Sequence, residues 1–229
     1  MKPYYEKNGQ TIFHGDCLKI MKQFSDKSFD LCLTDPPYGI SQKSGGFRGK
    51  ELDFGKWDKF TKKQLKNLLR QIIRVIRGTI FMFCSAEQLS FLLTELKKKD
   101  FLTRQLIWYK PTAFSMNADK MYMWATENII WAKKRKAKFN PRLKRNLFVC
   151  NSESNQRWHK TQKPIKLIKE FILDATDEND TILDPFMGSG TTLVAARQLG
   201  RKAVGIEINQ KYCEIAKQRL RQETLNLKS

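Results

Sequence analysis

The chain is poor in the residues that build metal centres and disulfide frameworks. It has five cysteines and two histidines in 229 residues. Cys17, Cys32, Cys84, Cys150 and Cys213 are odd in number, scattered and without a Cys-x-x-Cys pair. That spacing excludes a structural zinc site or a disulfide scaffold and suits thiols kept in a reducing compartment. Long apolar runs are also missing, none approaching the ~18–20 residues of a membrane span. The start, Met1-Lys2-Pro3-Tyr4-Tyr5-Glu6, lacks the apolar stretch of a signal peptide, so a cytoplasmic location with no membrane partner is expected. Acids are scarce as well: 23 Asp and Glu stand against 43 Lys and Arg, a formal net charge of +20. A polyanionic partner accounts for this, because each cation near a phosphate releases condensed counterions; solubility is the competing reading. The excess is clustered in Lys133, Lys134, Arg135, Lys136, Lys138, Arg142, Lys144 and Arg145, with no acid among them.

What is present is an alternation of short β-rich apolar runs with helical patterns, over one domain spanning 1–229. It predicts an α/β fold with a mostly parallel sheet covered on both faces. Seven strands are expected: Thr11–His14, Phe29–Thr34, Thr79–Cys84, Leu102–Tyr109, Asn128–Ala132, Thr181–Leu183 and Lys202–Ile206. Leu65, Leu68, Leu69, Ile72, Ile73 and Ile76 fall at 3-4 spacing and predict a helix over Lys62–Arg77. Further helices are expected at Ala86–Lys99, from Pro164 in a first-turn position, at Thr191–Leu199 before Gly200, and from Asn209 as N-cap. Two stretches break the rhythm. Ser41–Lys56 carries four glycines and no apolar period, and reads as a mobile loop at about 41–57. The basic, irregular stretch at about 133–158 reads as an insertion on the sheet.

Two motifs carry chemistry. The first, Thr34-Asp35-Pro36-Pro37-Tyr38-Gly39, follows the apolar strand Phe29-Asp30-Leu31-Cys32-Leu33. An acid at the carboxyl end of a parallel strand lies where open α/β sheets bind ligands. The prolines remove two donors and fix φ, leaving a rigid set of acceptors, the Asp35 carboxylate and the Pro36 carbonyl, beside the Tyr38 ring. Such a set suits an amino group on an aromatic ring. Its lone pair is delocalised, and acceptors on both N–H bonds favour a pyramidal nitrogen and stabilise developing positive charge. Tyr38 can stack on a base swung out of a duplex.

The second, Thr181-Ile182-Leu183-Asp184-Pro185-Phe186-Met187-Gly188-Ser189-Gly190-Thr191-Thr192, is a strand, a glycine turn and a helix start. The glycines allow close backbone approach and the helix start offers N–H groups. Glu207 follows 17 residues beyond Gly190, near the ~20-residue offset at which an acid reaches ribose hydroxyls. Leu193 stands where a dinucleotide fingerprint needs its third glycine, and no Gly-Lys-Ser/Thr exists. The turn therefore favours an adenosine-type cofactor without a diphosphate.

Together the motifs resemble those of the β-group DNA amino-methyltransferases of bacterial restriction–modification systems, over about Thr11 to Leu220. The resemblance implies the class I S-adenosylmethionine-dependent methyltransferase fold: seven strands, mostly parallel, with one antiparallel. It implies S-adenosylmethionine as cofactor and Asp35, Pro36, Pro37 and Tyr38 as catalytic residues. Cofactor contacts carry over to Asp16, Cys17, Asp35, Asp184, Phe186, Gly188, Ser189, Gly190, Thr191, Glu207 and Ile208. A capping role for Asp16 is an equal and compatible reading. His159-Lys160-Thr161-Gln162-Lys163-Pro164 resembles the family's His-Pro-Thr-Gln-Lys-Pro segment, which adds His159, Thr161 and Gln162. Phe81–Ser85 and Ile107–Pro111 match strands beside the target-base pocket, with Trp108 expected as core. Lys160 in place of Pro and Gly39 in place of the frequent Asn depart from the pattern without touching Asp35.

The implied reaction is direct methyl transfer to the 6-amino group of adenine in duplex DNA, after base flipping, without a metal. Adenine follows from Asp35 opening the tetrapeptide; the amino group of cytosine is the alternative. An RNA or protein methyltransferase and a non-enzymatic DNA-binding protein are the more distant classes. The basic run Lys133–Arg145 is expected to grip phosphates and to serve target recognition. A homodimer and a separately acting cognate restriction endonuclease are further partners that the family allows.

Overall fold

The alternation of elements is the one the apolar runs predict. A computed structural model describes residues 1–37, 61–112, 120, 122–140, 143–152 and 162–226, with side chains described as far as 222. The amino-terminal part runs β1 (Tyr5–Lys7), β2 (Gln10–His14), α1 (Cys17–Met21) and β3 (Phe29–Thr34). It continues with α2 (Lys62–Val75), β4 (Ile76–Cys84), α3 (Ala86–Lys97), β5 (Phe101–Tyr109), β6 (Thr126–Lys134) and β7 (Leu147–Val149). Then come α4 (Ile165–Ala175), β8 (Thr181–Asp184), α5 (Thr191–Gln198), β9 (Lys202–Glu207) and α6 (Gln210–Asn226).

The sheet order is β1-β2-β9-β8-β3-β4-β6-β5-β7. Strands β2, β9, β8, β3 and β4 are mutually parallel, while β6 runs antiparallel to both β4 and β5. The seven expected strands form the continuous body. The described sheet adds two three-residue edge strands, β1 and β7.

Strand alternation feeds two cores. Phe81 and Phe83 of β4 face α4, α5 and α6, where Phe171 stacks on Phe81 at 4.5 Å between centroids. Ile80, Met82 and Cys84 face α1, α2 and α3. Both faces are therefore sealed, which leaves the ends of the strands to meet ligands. Helix α2 starts on a reciprocal capping box between Thr61 and Gln64 and buries Leu65, Leu68, Leu69 and Ile72. It ends at Val75, two residues before the predicted Arg77, because Ile76 already pairs with Phe29 of β3. Gly78 permits that close pairing, since a Cβ there would stand 1.9 Å from the Asp30 carbonyl oxygen. Pro164 caps α4 from outside rather than occupying its first turn.

The basic stretch, expected as an insertion on the sheet rather than part of it, supplies strand residues at both of its described ends. Lys133 and Lys134 are the last residues of β6, paired with Leu102 and Phe101, and Leu147–Val149 rejoin the sheet as β7. The loop expected at about 41–57 lies outside the described residues.

Candidate active site

Because five central strands run parallel, their carboxyl ends form one edge, and acids line it. Across the sheet stand Asp16 after β2, Glu207 ending β9, Asp184 ending β8 and Asp35 after β3. Antiparallel β6 starts at this edge and brings Glu127 to it, while Lys110 follows β5.

The cofactor-side residues of the second motif come together here. Gly188 and Gly190 adopt φ of +50° and +83°, a left-handed region that favours glycine. A Cβ on Gly190 would stand 2.7 Å from the Ala216 side chain of α6, so the turn needs glycine there for space as well. Arg219 of α6 clamps the turn, donating to the Ser189 carbonyl at 2.7 Å and to the Thr191 hydroxyl at 3.2 Å. Glu207 Oε2 accepts from the Gly188 N–H at 3.1 Å and Oε1 from the Asn209 N–H at 2.7 Å. Burial raises the Glu207 carboxyl above its ordinary range, against these donors. Gly190 caps α5 with no side-chain bond to the helix start, and a Cβ on Gly188 would meet nothing within 4 Å. An acceptor, a helix start without a side-chain cap and space beside the turn among the described residues fit an adenosine-type cofactor. Ile208 is exposed beside Glu207, and its carbonyl stands 3.1 Å from His14 Nε2.

Asp184 is buried, its Oδ1 accepting from the Phe186 N–H at 3.1 Å. Burial pushes its carboxyl up to about 7, with the Asp35 charge adding to the effect and the Thr192 hydroxyl opposing it. Asp16 caps α1 through the Lys19 N–H at 3.0 Å, so its capping reading holds while it stands exposed at the edge. Cys17 is buried beside it, and burial pushes the thiol up to about 12.

Asp35 is half-buried and Pro36 buried. The Asp35 carboxylate meets the Lys163 ammonium at 2.7 Å. Lys163 also stands 3.2 Å from Glu127 Oε2, an ion-pair distance off the hydrogen-bond axis. Glu127 Oε1 takes Lys110 at 3.2 Å. Burial alone would lower Lys163, but Asp35 and Glu127 more than reverse this and hold it above the ordinary lysine range. Burial alone would raise Glu127, and the two lysines hold it below the carboxylate range. Trp108 is core as expected, donating to the Cys150 carbonyl at 2.8 Å. Tyr38, His159 and Thr161 lie outside the described residues, as do Lys160 and Gly39; Gln162 is half-buried next to Lys163.

The basic run is not brought to this edge. Because β6 is antiparallel, Lys133 and Lys134 lie at the opposite end of the sheet from Glu127. Lys133 is buried and donates to the carbonyls of Lys134, Arg135 and Ala137. Arg135 pairs with Asp100, Lys138 with Asp177 and Asp180, and Lys144 with Asp174 and Glu170. Lys136 and Arg145 are exposed, and Arg142 lies outside the described residues.

Sequence reasoning missed Glu127, Lys110, Lys163 and Arg219 as members of the site. The available signal was an acid opening an apolar strand, Thr126-Glu127-Asn128-Ile129-Ile130, and a lysine inside a segment already singled out. It also missed Tyr122 and Trp124, exposed aromatics just beyond the Lys110–Ala125 backbone pair at the same edge.

Residues 29–218 match the DNA methylase family. The chain is 33% identical to the Type II methyltransferase M2.LlaDCHI of Lactococcus lactis subsp. cremoris, over 96% of this chain and 92% of that one. It is 31% identical to the Type II methyltransferase M2.DpnII of Streptococcus pneumoniae, over 97% and 93%. Among solved structures, that of the M1.HpyAVI–SAM complex aligns with a TM-score of 0.72 at 28% identity, covering 92% of this chain and 99% of that one. The sheet is accordingly the class I methyltransferase sheet, with β6 as its antiparallel strand.

Proposed function

This chain belongs to the DNA methylase family, and we propose that it methylates the 6-amino group of adenine at specific sites in duplex DNA. The observation that carries the proposal is the single edge on which Asp35 and the Gly188–Gly190 turn with Glu207 stand together. S-adenosylmethionine is the cofactor and supplies an electrophilic methyl group. Glu207 would accept from the ribose hydroxyls, and the turn with the first N–H groups of α5 would hold the carboxylate end. Phe186 and Cys17 are proposed as walls, with Asp16, Asp184, Ile208, Gln162, His159 and Thr161 as further contacts.

The base amine is held by the Asp35 carboxylate and the Pro36 carbonyl, with Pro37 stiffening the turn and Tyr38 proposed to stack on the flipped ring. As the nitrogen lone pair forms the new N–C bond and the S–C bond breaks, positive charge grows on nitrogen, which the Asp35 carboxylate stabilises. The nitrogen then sheds one proton, for which Asp35 is the adjacent acceptor.

DNA is proposed to approach along this edge, past Tyr122 and Trp124. Of the basic run, the exposed Arg145, next to β7, is proposed as a phosphate contact. A cytoplasmic location, a homodimer and a separate cognate endonuclease complete the reading. The test is transfer from methyl-labelled S-adenosylmethionine to duplex DNA, followed by nucleoside analysis. N6-methyladenine is expected and N4-methylcytosine would overturn the base assignment. Asp35→Ala should lower transfer by about 10²–10³-fold or more, the scale of losing a preorganised electrostatic partner, while DNA binding survives. An active Asp35→Ala protein would sink the assignment.

A further inference from the structure

The mostly shielded lysine beside Asp35 needs an explanation. A cation 2.7 Å from the carboxylate that meets the amine weakens that carboxylate's hold on a nitrogen becoming positive. Burial also makes the lysine costly: a charge out of water must be paired on every side. Lys163 comes from the segment leading into α4 and lies over the Phe83 ring of β4 at 4.8 Å, which restricts where its ammonium can sit. Glu127, on the neighbouring strand β6, stands at 3.2 Å on its other side and is itself met by Lys110. Among the described residues, Asp184 of β8 and Cys84 of β4 are further titratable groups facing Asp35.

We propose that Lys163 and Glu127 are a positioning pair for Asp35: Lys163 fixes the carboxylate's orientation, and Glu127 shares the lysine's charge so that the Asp35 carboxylate is not fully quenched toward the amine. The pair acts through Asp35 and does not touch substrate. It rests on Asp35 being the residue that holds the base amine. Three segments far apart in the chain, after β3, at the start of β6 and before α4, supply the parts, so the arrangement is a product of the fold and not of one motif. A lysine alone would orient Asp35 and quench it; an acid alone would repel it.

The test is single-turnover methylation with saturating S-adenosylmethionine and DNA, in the full chain. Lys163→Met should slow transfer by about 10–100-fold, as when outer groups that orient a reactive side chain are lost. The rate should fall much further than the cofactor affinity, although Asp35 and the neighbouring Gln162 are expected cofactor contacts, because Lys163 acts on the orientation of the carboxylate that holds the amine. Lys163→Arg should recover most of the rate. The double variant Lys163→Met/Glu127→Gln removes one cation and one anion together and takes these partners from Asp35 and Lys110. It should melt below the parent protein, stay folded at the assay temperature and remain slow. A double variant restored to full rate would overturn the proposal, because Lys163 would then serve only to neutralise Glu127. So would a Lys163→Met protein at full rate, or one that loses rate and cofactor affinity in parallel. Asp35→Asn, measured alongside, separates the two readings. If it is active, the base-site assignment fails; if it is inactive while Lys163→Met is fast, only the positioning pair fails.

Discussion

At the carboxyl end of the sheet, charges face one another largely out of water; at the opposite end, Lys144 and Asp174 do so too, but the other close partners sit in it. Lys163 and Asp35 are 11% and 27% exposed and Lys110 and Glu127 15% and 23%, whereas Arg135 and Asp100 are 69% and 76% exposed. An ion pair grows several-fold stronger as its surroundings exclude water, and exposed pairs contribute little. The far end holds much of the sequence's conspicuous basic cluster, but Arg135, Lys138 and Arg77 there meet Asp100, Asp177, Asp180 and Asp30. A net charge of +20 therefore does not point at the site. Topology gathers Lys163, Asp35, Glu127 and Lys110 behind apolar walls, where charges interact most strongly, and leaves Arg135 and Lys138 with exposed partners.

The two ends also differ in what their glycines are for, and exchanging them should give the largest effects. Gly190 at the reactive edge and Gly200 at the far end both hold positive φ, +83° and +73°. Alanine at either position carries backbone strain of about 1–3 kcal/mol. Only Gly190→Ala adds a clash, its Cβ 2.7 Å from Ala216, whereas Gly200→Ala meets nothing nearer than the flexible Glu178 side chain at 3.7 Å. Overpacking adds about 1–3 kcal/mol. Thermal melting should therefore rank Gly190→Ala well below Gly200→Ala. Calorimetry should show cofactor affinity lost in Gly190→Ala and kept in Gly200→Ala. Equal affinities would detach the turn from the cofactor site.

Much of this was legible beforehand, for stated reasons. The seven central strands follow from β-rich apolar runs, and the four glycine-turn residues from a motif local in sequence. Where β4 begins was not legible: Ile76 continues the helical period of α2 and is claimed by pairing with Phe29, a contact between residues far apart in the chain. Lys163, Glu127 and Lys110 were missed for the same reason. Each is an ordinary charged residue until the strand order puts them together. Where the basic run lies was not legible either: clustering is a property of sequence, while its distance from Asp35 depends on β6 running antiparallel.

Asp184 at the reactive edge and Asp30 at the far end should titrate oppositely, the next effect in size. Burial pushes Asp184 up to about 7, so the folded chain holds its proton more tightly than the unfolded one. Stability from this group is present below about pH 4 and is lost as pH rises through about 7, by at most about 4 kcal/mol. Burial would raise Asp30 too, but the Arg77 guanidinium and the Thr181 N–H hold it below its ordinary value. Its contribution is present above about pH 4 and is lost as pH falls further. Denaturant unfolding of Asp184→Asn should lose the decline between pH 4 and 7, and Arg77→Gln should soften only the acid-side loss. An Asp184→Asn protein with the parent slope would show that the fold carries this carboxyl at no cost.

The smallest effect tests whether the far end touches DNA at all. Each phosphate contact adds about 0.9 to the slope of log K against log salt, so one lost contact is a change of about that size. Arg145 lies beside β7, which leads toward the reactive edge through its pairing with Ile107–Tyr109. Lys136 lies beyond the end of β6, on the opposite side of the sheet from Asp35. Both are exposed, so neither substitution should disturb folding. Arg145→Gln should flatten the salt dependence by about one contact, and Lys136→Gln should leave it unchanged. If Lys136→Gln flattened the slope equally, DNA would have to reach both ends of the sheet. The contrast between an edge that reacts and an end that only solvates would then fail at its electrostatic root.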